Sequence, residues 1–258
     1  MTDGTTGTTL VKRSGERFFT DLGWLDSKHS FSFGHHYDAR NTHFGLLLVS
    51  NDDVVAPGTG FETHPHRDME IVTWVLDGGL VHQDSIGHNG VIYPGLAQRM
   101  SAGTGILHSE KNDLPTSVLT SDPAAVKPVH FVQMWVVPDE SRIEPGYEQL
   151  DIGDQLARGG LVTVASGMGR HRDEAAIRIR QKDAALFAAR LADAETVQLP
   201  TAPYVHLYVA RGEVDLEGAG RLGTGDAARI TGSAGQRVTA LGDAEVLVWE
   251  MHADVARP

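Results

Sequence analysis

Apolar residues come in short runs broken by glycine, asparagine, aspartate and proline, and runs of this length bounded by turn formers predict strands. Strands are predicted over residues 44–49, 70–76, 79–83, 90–93 and 129–137. A second set follows over 161–165, 204–209, 213–216, 227–230, 237–240 and 245–251. So many short strands at this spacing point to an all-β sandwich or barrel and away from alternating α/β layers. The stretch 183–191 (DAALFAARL) fits either a helical turn or a strand with apolar ends, and the pattern leaves both open.

The texture repeats. Residues 74–82 (WVLDGGLVH) and 208–216 (YVARGEVDL) each read as an apolar strand, a glycine turn and a second strand. Further glycine turns follow at Gly95 and at Gly225. Two barrels of one design, joined by a linker near 138–150, account for this. Residues 112–128, with three prolines, read as a long surface loop and a candidate lid, and the Gly/Thr run of residues 2–9 reads as a frayed tail.

Composition narrows the function. The chain has 258 residues, 41% hydrophobic and 22% charged, with 29 glycines and a formal net charge of −12. That charge disfavours direct nucleic-acid binding, which requires basic side chains to neutralise phosphates. With no cysteine, disulfides, thiolate metal sites and cysteine nucleophiles are excluded together. No apolar stretch reaches the roughly 20 residues of a membrane span and no signal pattern opens the chain, so a cytoplasmic location is expected.

The histidines are uneven: ten of 13 lie at or before position 130. His64-Pro65-His66 places two imidazoles on one face of a strand with Pro65 turned away, and proline suits a strand edge. A His-x-His pair alone arises readily by chance in so histidine-rich a chain. His108 and Glu110, a second same-face pair behind the Gly103-Thr-Gly105 turn, raise the specificity. Three imidazoles and a carboxylate form a mixed nitrogen and oxygen donor set for one divalent transition metal.

Beyond spacing, the residues resemble a known pattern. Gly58-x₅-His64-x-His66-x₃-Glu70 resembles the first cupin motif, and Gly105-x₂-His108-x₃-Asn112 the end of the second. The blocks 64–74 (HPHRDMEIVTW), 82–87 (HQDSIG) and 98–110 (QRMSAGTGILHSE) are similar to the pirin family. So are 23–33 (GWLDSKHSFSF), 51–54 (NDDV) and 133–138 (QMWVVP), with the likeness strong over 18–150 and looser beyond. The resemblance implies two tandem cupin (jelly-roll) barrels. Residues 1–140 would form the metal-bearing domain and 141–258 a degenerate one without metal.

It further implies His64, His66, His108 and Glu110 as metal ligands. Glu70, the fourth ligand of most cupins, shares the parity of His64 and His66 and becomes a runner-up or an outer support. Shifting the first motif by the repeat offset lands on Gln198 and Pro200, neither of them an imidazole. The chain ends soon after Val246-Leu-Val-Trp-Glu-Met and so looks like the shorter bacterial pirins.

The implied activity is a quercetin 2,3-dioxygenase type of flavonol cleavage with O₂. Fe(II) is the foremost metal, with Ni, Cu, Co, Mn and Zn also compatible, and Glu110 doubles as acceptor of the substrate proton. Phe61 and Phe33, with Phe31, are candidate walls for an aromatic substrate, core packing being the alternative for Phe31 and Phe33. The competing reading is a non-enzymatic metal or redox sensor acting through a protein partner. A sugar-phosphate isomerase is disfavoured by the lack of a basic cluster near the motifs.

Overall fold

The computed structural model describes residues 7–113 and 127–255. The loop expected over 112–128 and the tail expected over 2–9 therefore fall largely outside the described residues. Among the described residues helix is confined to short turns such as Gly153–Leu156. Among the described residues no helix is long and apolar enough to cross a membrane.

The N-terminal barrel is a jelly roll of two sheets. Its large sheet contains β2 (Phe18–Asp21), β3 (Leu25–His29), β4 (Leu47–Val55), β6 (Glu70–Asp77), β9 (Leu96–Ser101), β11 (Val129–Val136) and β12 (Gly146–Asp151). They lie in the order β12-β9-β6-β11-β4-β3-β2. Facing it are β5 (Gly60–His66), β7 (Leu80–Asp84), β8 (Asn89–Ile92) and β10 (Ile106–Lys111), in the order β5-β10-β7-β8.

The C-terminal barrel repeats this plan. Its large sheet holds β1 (Thr8–Lys12), β13 (Val162–Ser166), β14 (Ile177–Arg178), β15 (Ala184–Leu191), β17 (Thr201–Arg211), β20 (Ala227–Ala234) and β22 (Ala244–Met251). The small sheet is β16 (Thr196–Gln198), β18 (Glu213–Leu216), β19 (Gly220–Gly223) and β21 (Arg237–Ala240). The stretch 183–191 is thus a strand, paired with β13 and β22.

Two sequence boundaries move. The stretch read as a linker, 138–150, contains most of β12, which pairs with β9 at the edge of the N-terminal barrel. In return β1 crosses over to pair with β20 of the C-terminal barrel. Strand β4 also runs to Val55, well past position 49, because its polar residues alternate into the N-terminal barrel and do not form a turn.

The two large sheets pack back to back. Val72, Trp74 and Leu76 of β6 and Val132, Met134 and Val136 of β11 meet Leu186, Tyr208, Leu247 and Trp249. Trp74 Nε1 donates to Glu245 Oε1 at 2.7 Å across this seam. Central strands buried on both faces read as continuous apolar runs.

The barrel interiors differ. That of the C-terminal barrel is filled by one apolar cluster that includes Val205, Leu207, Val209, Val214, Ile230, Val246 and Val248. In the N-terminal barrel the apolar interior is split into two small clusters, one around Val75 and Phe131 and one around Ile71 and Met100. Between them on β6 sits Thr73, in a polar zone that contains the histidines.

Candidate metal centre and cavity

Strands β5 and β10 are antiparallel neighbours, with His108 directly opposite His64 and Ile106 opposite His66. β5 is an edge strand, where Pro65 costs no ladder hydrogen bond; Pro65 is exposed while His64 and His66 are half-buried. The entry to β10 is shaped by Gly103 at φ 50. A Cβ there would lie 2.2 Å from the Ile143 carbonyl oxygen, so glycine is required. Between the pairs His108–His64 and Glu110–Phe61 β5 takes three steps where β10 takes two, so the bulge lies on β5, while β10 stays in unbroken register with β7 and keeps His108 and Glu110 on one face.

The three imidazoles converge. Ring centroids are 4.8 Å apart for His64 and His66, 4.5 Å for His64 and His108, and 4.8 Å for His66 and His108. One nitrogen from each lies within 4.8 Å of the other two. His64 Nδ1 donates to the Glu62 carbonyl at 2.7 Å, fixing the tautomer that leaves Nε2 as a lone-pair donor. His66 Nε2 and both nitrogens of His108 are buried without a hydrogen-bond partner, a costly state that a bound cation relieves.

Burial, reinforced by the neighbouring imidazoles, lowers His66 to about 4 and His108 to about 3. Both rings are therefore neutral near pH 7 and offer lone pairs. The donor set fits a divalent transition metal.

Glu110 (2% exposed) belongs to an overlapping group in which its carboxylate lies within 4.8 Å of a nitrogen of His108 and one of His82. Gln133 Nε2 donates to both its oxygens, at 2.9 and 2.8 Å. Gln133 Oε1 in turn accepts from Trp135 Nε1 at 2.9 Å, and the Trp135 ring meets His66 edge to face at 4.8 Å. Sequence reasoning gave no role to His82, Gln133 or Trp135. The signal available was alternation: Gln133 and Trp135, like His82 and Asp84, are i, i+2 pairs that share a strand face.

Glu70 stands apart, in correction of its expected place. It accepts from Ser101 Oγ at 2.9 Å and from the Arg180 backbone N–H at 2.9 Å, on the face of β6 that meets the C-terminal barrel. The parity argument failed because the chain bends at Asp68, with φ 47, which resets the face β6 presents. Phe31 is likewise core: it is 1% exposed and lies under the Arg229 guanidinium at 4.4 Å. In the C-terminal barrel β16 ends at Gln198, so Pro200 lies beyond it.

A cavity of about 290 Å³ opens onto the centre. Phe33, Phe61 and Trp135 give it an aromatic wall; His64, His66, Glu110 and Gln133 reach it from the metal side; and Ser27, His29 and Asp53 line another part. Phe33 meets Trp135 edge to face at 5.6 Å, and Phe61 meets Trp24 the same way at 5.4 Å. Phe33 and Phe61 are thus wall residues of this cavity.

Two stacked cupin barrels, one filled and one hollowed around a histidine cluster, define a bicupin. Residues 11–136 match the pirin family profile, and residues 163–251 match the quercetinase C-terminal cupin domain. A Mycobacterium tuberculosis protein named provisionally as a quercetin 2,3-dioxygenase is 56% identical over 248 residues, covering 96% of this chain and 97% of its own. The quercetin 2,3-dioxygenase of Escherichia coli is 36% identical over 251 residues, covering 93% and 97%. The bacterial pirin YhhW of Escherichia coli, solved in complex with nickel(II), superposes with a TM-score of 0.82 at 34% identity, covering 95% of this chain and 100% of that one. The chain belongs to the pirin family.

Proposed function

We propose that this pirin is a metal-dependent dioxygenase that cleaves a flavonol such as quercetin with O₂, with His64, His66, His108 and Glu110 holding the cation. The observation that carries the reading is the joining of an unpartnered imidazole cluster to an aromatic-walled cavity in the N-terminal barrel. The quercetin 2,3-dioxygenase names of its relatives support the same substrate class. Nickel is the cation of the solved relative, and the donor set is equally suited to Fe(II).

When bound, the cation supplies a Lewis acid that favours the enolate form of a hydroxy-ketone substrate and organises its reaction with O₂. The protein supplies the rest. Phe33, Phe61 and Trp135 clasp a flat ring system and keep water from it. Gln133 orients Glu110, and Trp135 orients Gln133, so the carboxylate is held by a chain of hydrogen bonds and not by packing alone. Glu110 faces the cavity, where it orients a substrate hydroxyl, while the engagement of both its oxygens by Gln133 leaves the hydroxyl proton to another base.

Aerobic incubation with quercetin after loading with Fe(II), Ni(II) or Cu(II) tests the proposal. Consumption of the flavonol with release of CO is expected. Absence of turnover with every metal would contradict it and favour a regulatory role exerted through a protein partner.

A further inference from the structure

Five polar side chains outside the metal centre form a line along the cavity wall toward the sheet edge, with Asp53, Ser27, His29 and Thr20 lining the cavity and His36 beyond it. Asp53 on β4 lines the cavity, is 4% exposed, and accepts a hydrogen bond from Ser27 Oγ on β3. Ser27 Oγ lies 3.4 Å from His29 Nδ1. His29 Nε2 lies 2.9 Å from Thr20 Oγ1 on β2, and the same Thr20 Oγ1 lies 3.0 Å from His36 Nε2. The sheet dictates the order: Asp53 is opposite Ser27, and Ser27 is opposite Thr20, in one row across three strands to the outermost, β2. Asp53, Ser27 and His29 are buried, whereas Thr20 and His36 are only half-buried.

Donor counting gives the line a direction. A hydroxyl has one proton, so Thr20, set between two Nε2 atoms, accepts from one imidazole and donates to the other. Ser27 gives its one proton to Asp53, so it serves His29 Nδ1 only once Asp53 is protonated and donates to Ser27 in turn; in that state His29 accepts at Nδ1 and donates from Nε2, with Thr20 donating to His36. Burial keeps His29 below the ordinary imidazole range, and a neutral ring can do both. Burial also pushes Asp53 up to about 7, with Ser27 opposing and Asp52 and Glu110 adding to the rise, which suits a base working near neutral pH. Both Glu110 oxygens are already engaged by Gln133. Among the described residues Asp53 accepts a side-chain hydrogen bond only at Oδ1.

We infer that Asp53, Ser27, His29, Thr20 and His36 are a proton relay that carries the proton of an ionisable enol or phenol hydroxyl from the cavity to solvent. The inference rests on the flavonol reading above. The substrate O–H bond breaks, its electron pair stays on the substrate oxygen, and the proton bonds to Asp53 Oδ2. The protonated carboxyl turns to present this proton to Ser27 Oγ and passes it on as Ser27 gives its own to His29 Nδ1. His29 gives its Nε2 proton to Thr20, and Thr20 gives its own to His36 Nε2. The Asp53 carboxylate is restored, His36 leaves as imidazolium until water takes the proton, and no electrons change hands.

The test mixes metal-loaded protein with quercetin, without O₂, in weak buffer containing a pH indicator, and follows flavonolate absorbance and proton release together. In the natural protein both appear in step and are slowed in D₂O. Asp53→Asn should slow them by roughly 100-fold, in the range of a lost general base. Thr20→Val, which removes only the hydroxyl, should slow proton release at unchanged metal content, and Thr20→Ser should restore it. Natural rates in both Asp53→Asn and Thr20→Val would overturn the relay while leaving the flavonol reading intact. Failure of the natural protein to form flavonolate with any metal would overturn both.

Discussion

Replacing Gln133 with methionine keeps volume but removes the amide that donates to both oxygens of Glu110 at 2.9 and 2.8 Å. Glu110 is 2% exposed, so bulk solvent does not reach it and only a water held in the cavity could stand in for the lost donors. The other donor, Thr73 Oγ1, stands at 3.4 Å and cannot compensate. A hydrogen bond to a charged group contributes about 1.5–3 kcal/mol, and a buried charge left unsatisfied costs the upper part of that range or more. The metal-free variant should therefore lose about 2–3 kcal/mol. At about 2–4 °C per kcal/mol for a chain of this length, that is a fall in Tm of roughly 4–12 °C. Trp135 adds little to the loss, because its half-buried indole can turn to water.

The decisive assay is a double-mutant cycle by chemical denaturation of metal-free protein. Glu110→Ala removes the charge that Gln133 serves, so Gln133→Met should cost much less in that background. A coupling energy of about 1–2 kcal/mol is expected for directly bonded partners. Additivity within about 0.5 kcal/mol would refute the reasoning and mean that Gln133 contributes by packing alone.

Three further outcomes are expected. Gly103→Ala places a Cβ 2.2 Å from the Ile143 carbonyl at φ 50; the left-handed backbone alone costs about 1–2 kcal/mol, and displacement of β10 should weaken metal binding in a chelator competition. His206 is 1% exposed, and burial, with Arg229 and Arg17 adding, lowers it to about 3. The folded protein thus keeps His206 neutral while the unfolded chain protonates it near 6.5, so its contribution is whole above about pH 6.5 and is lost as pH falls toward 3. Denaturation midpoints of His206→Gln should fall less steeply with acid, by up to about 1.4 kcal/mol per pH unit; parallel curves would contradict this. Phe33→Ala should raise the KM for quercetin more than it lowers kcat, because Phe33 lines the cavity without belonging to the ligand cluster; steady-state kinetics decide.

How far the sequence could be read depended on the burial of each strand. β6, β11, β17 and β22 are buried on both faces and announce themselves as apolar runs. β12 has half-buried and exposed residues only, and β1 carries no strong pattern, so the exchange of edge strands between barrels was invisible to periodicity. For the site, the i, i+2 rule placed His64 and His66 on one strand face correctly, because β5 is continuous through them. It misplaced Glu70 because a bend at Asp68 intervenes. Asp53, Ser27 and His29 stood in blocks that marked the family resemblance, yet nothing local shows that β3 and β4 bring them face to face. That pairing is set by long-range register.

The most direct measurement is the metal content of purified protein beside that of His66→Ala, with quercetin consumption recorded on the same samples. The four-ligand centre predicts about one divalent metal per chain and flavonol turnover in the natural protein, and loss of both in the variant. A variant that kept its full metal content would contradict the placement of the centre at His64, His66, His108 and Glu110.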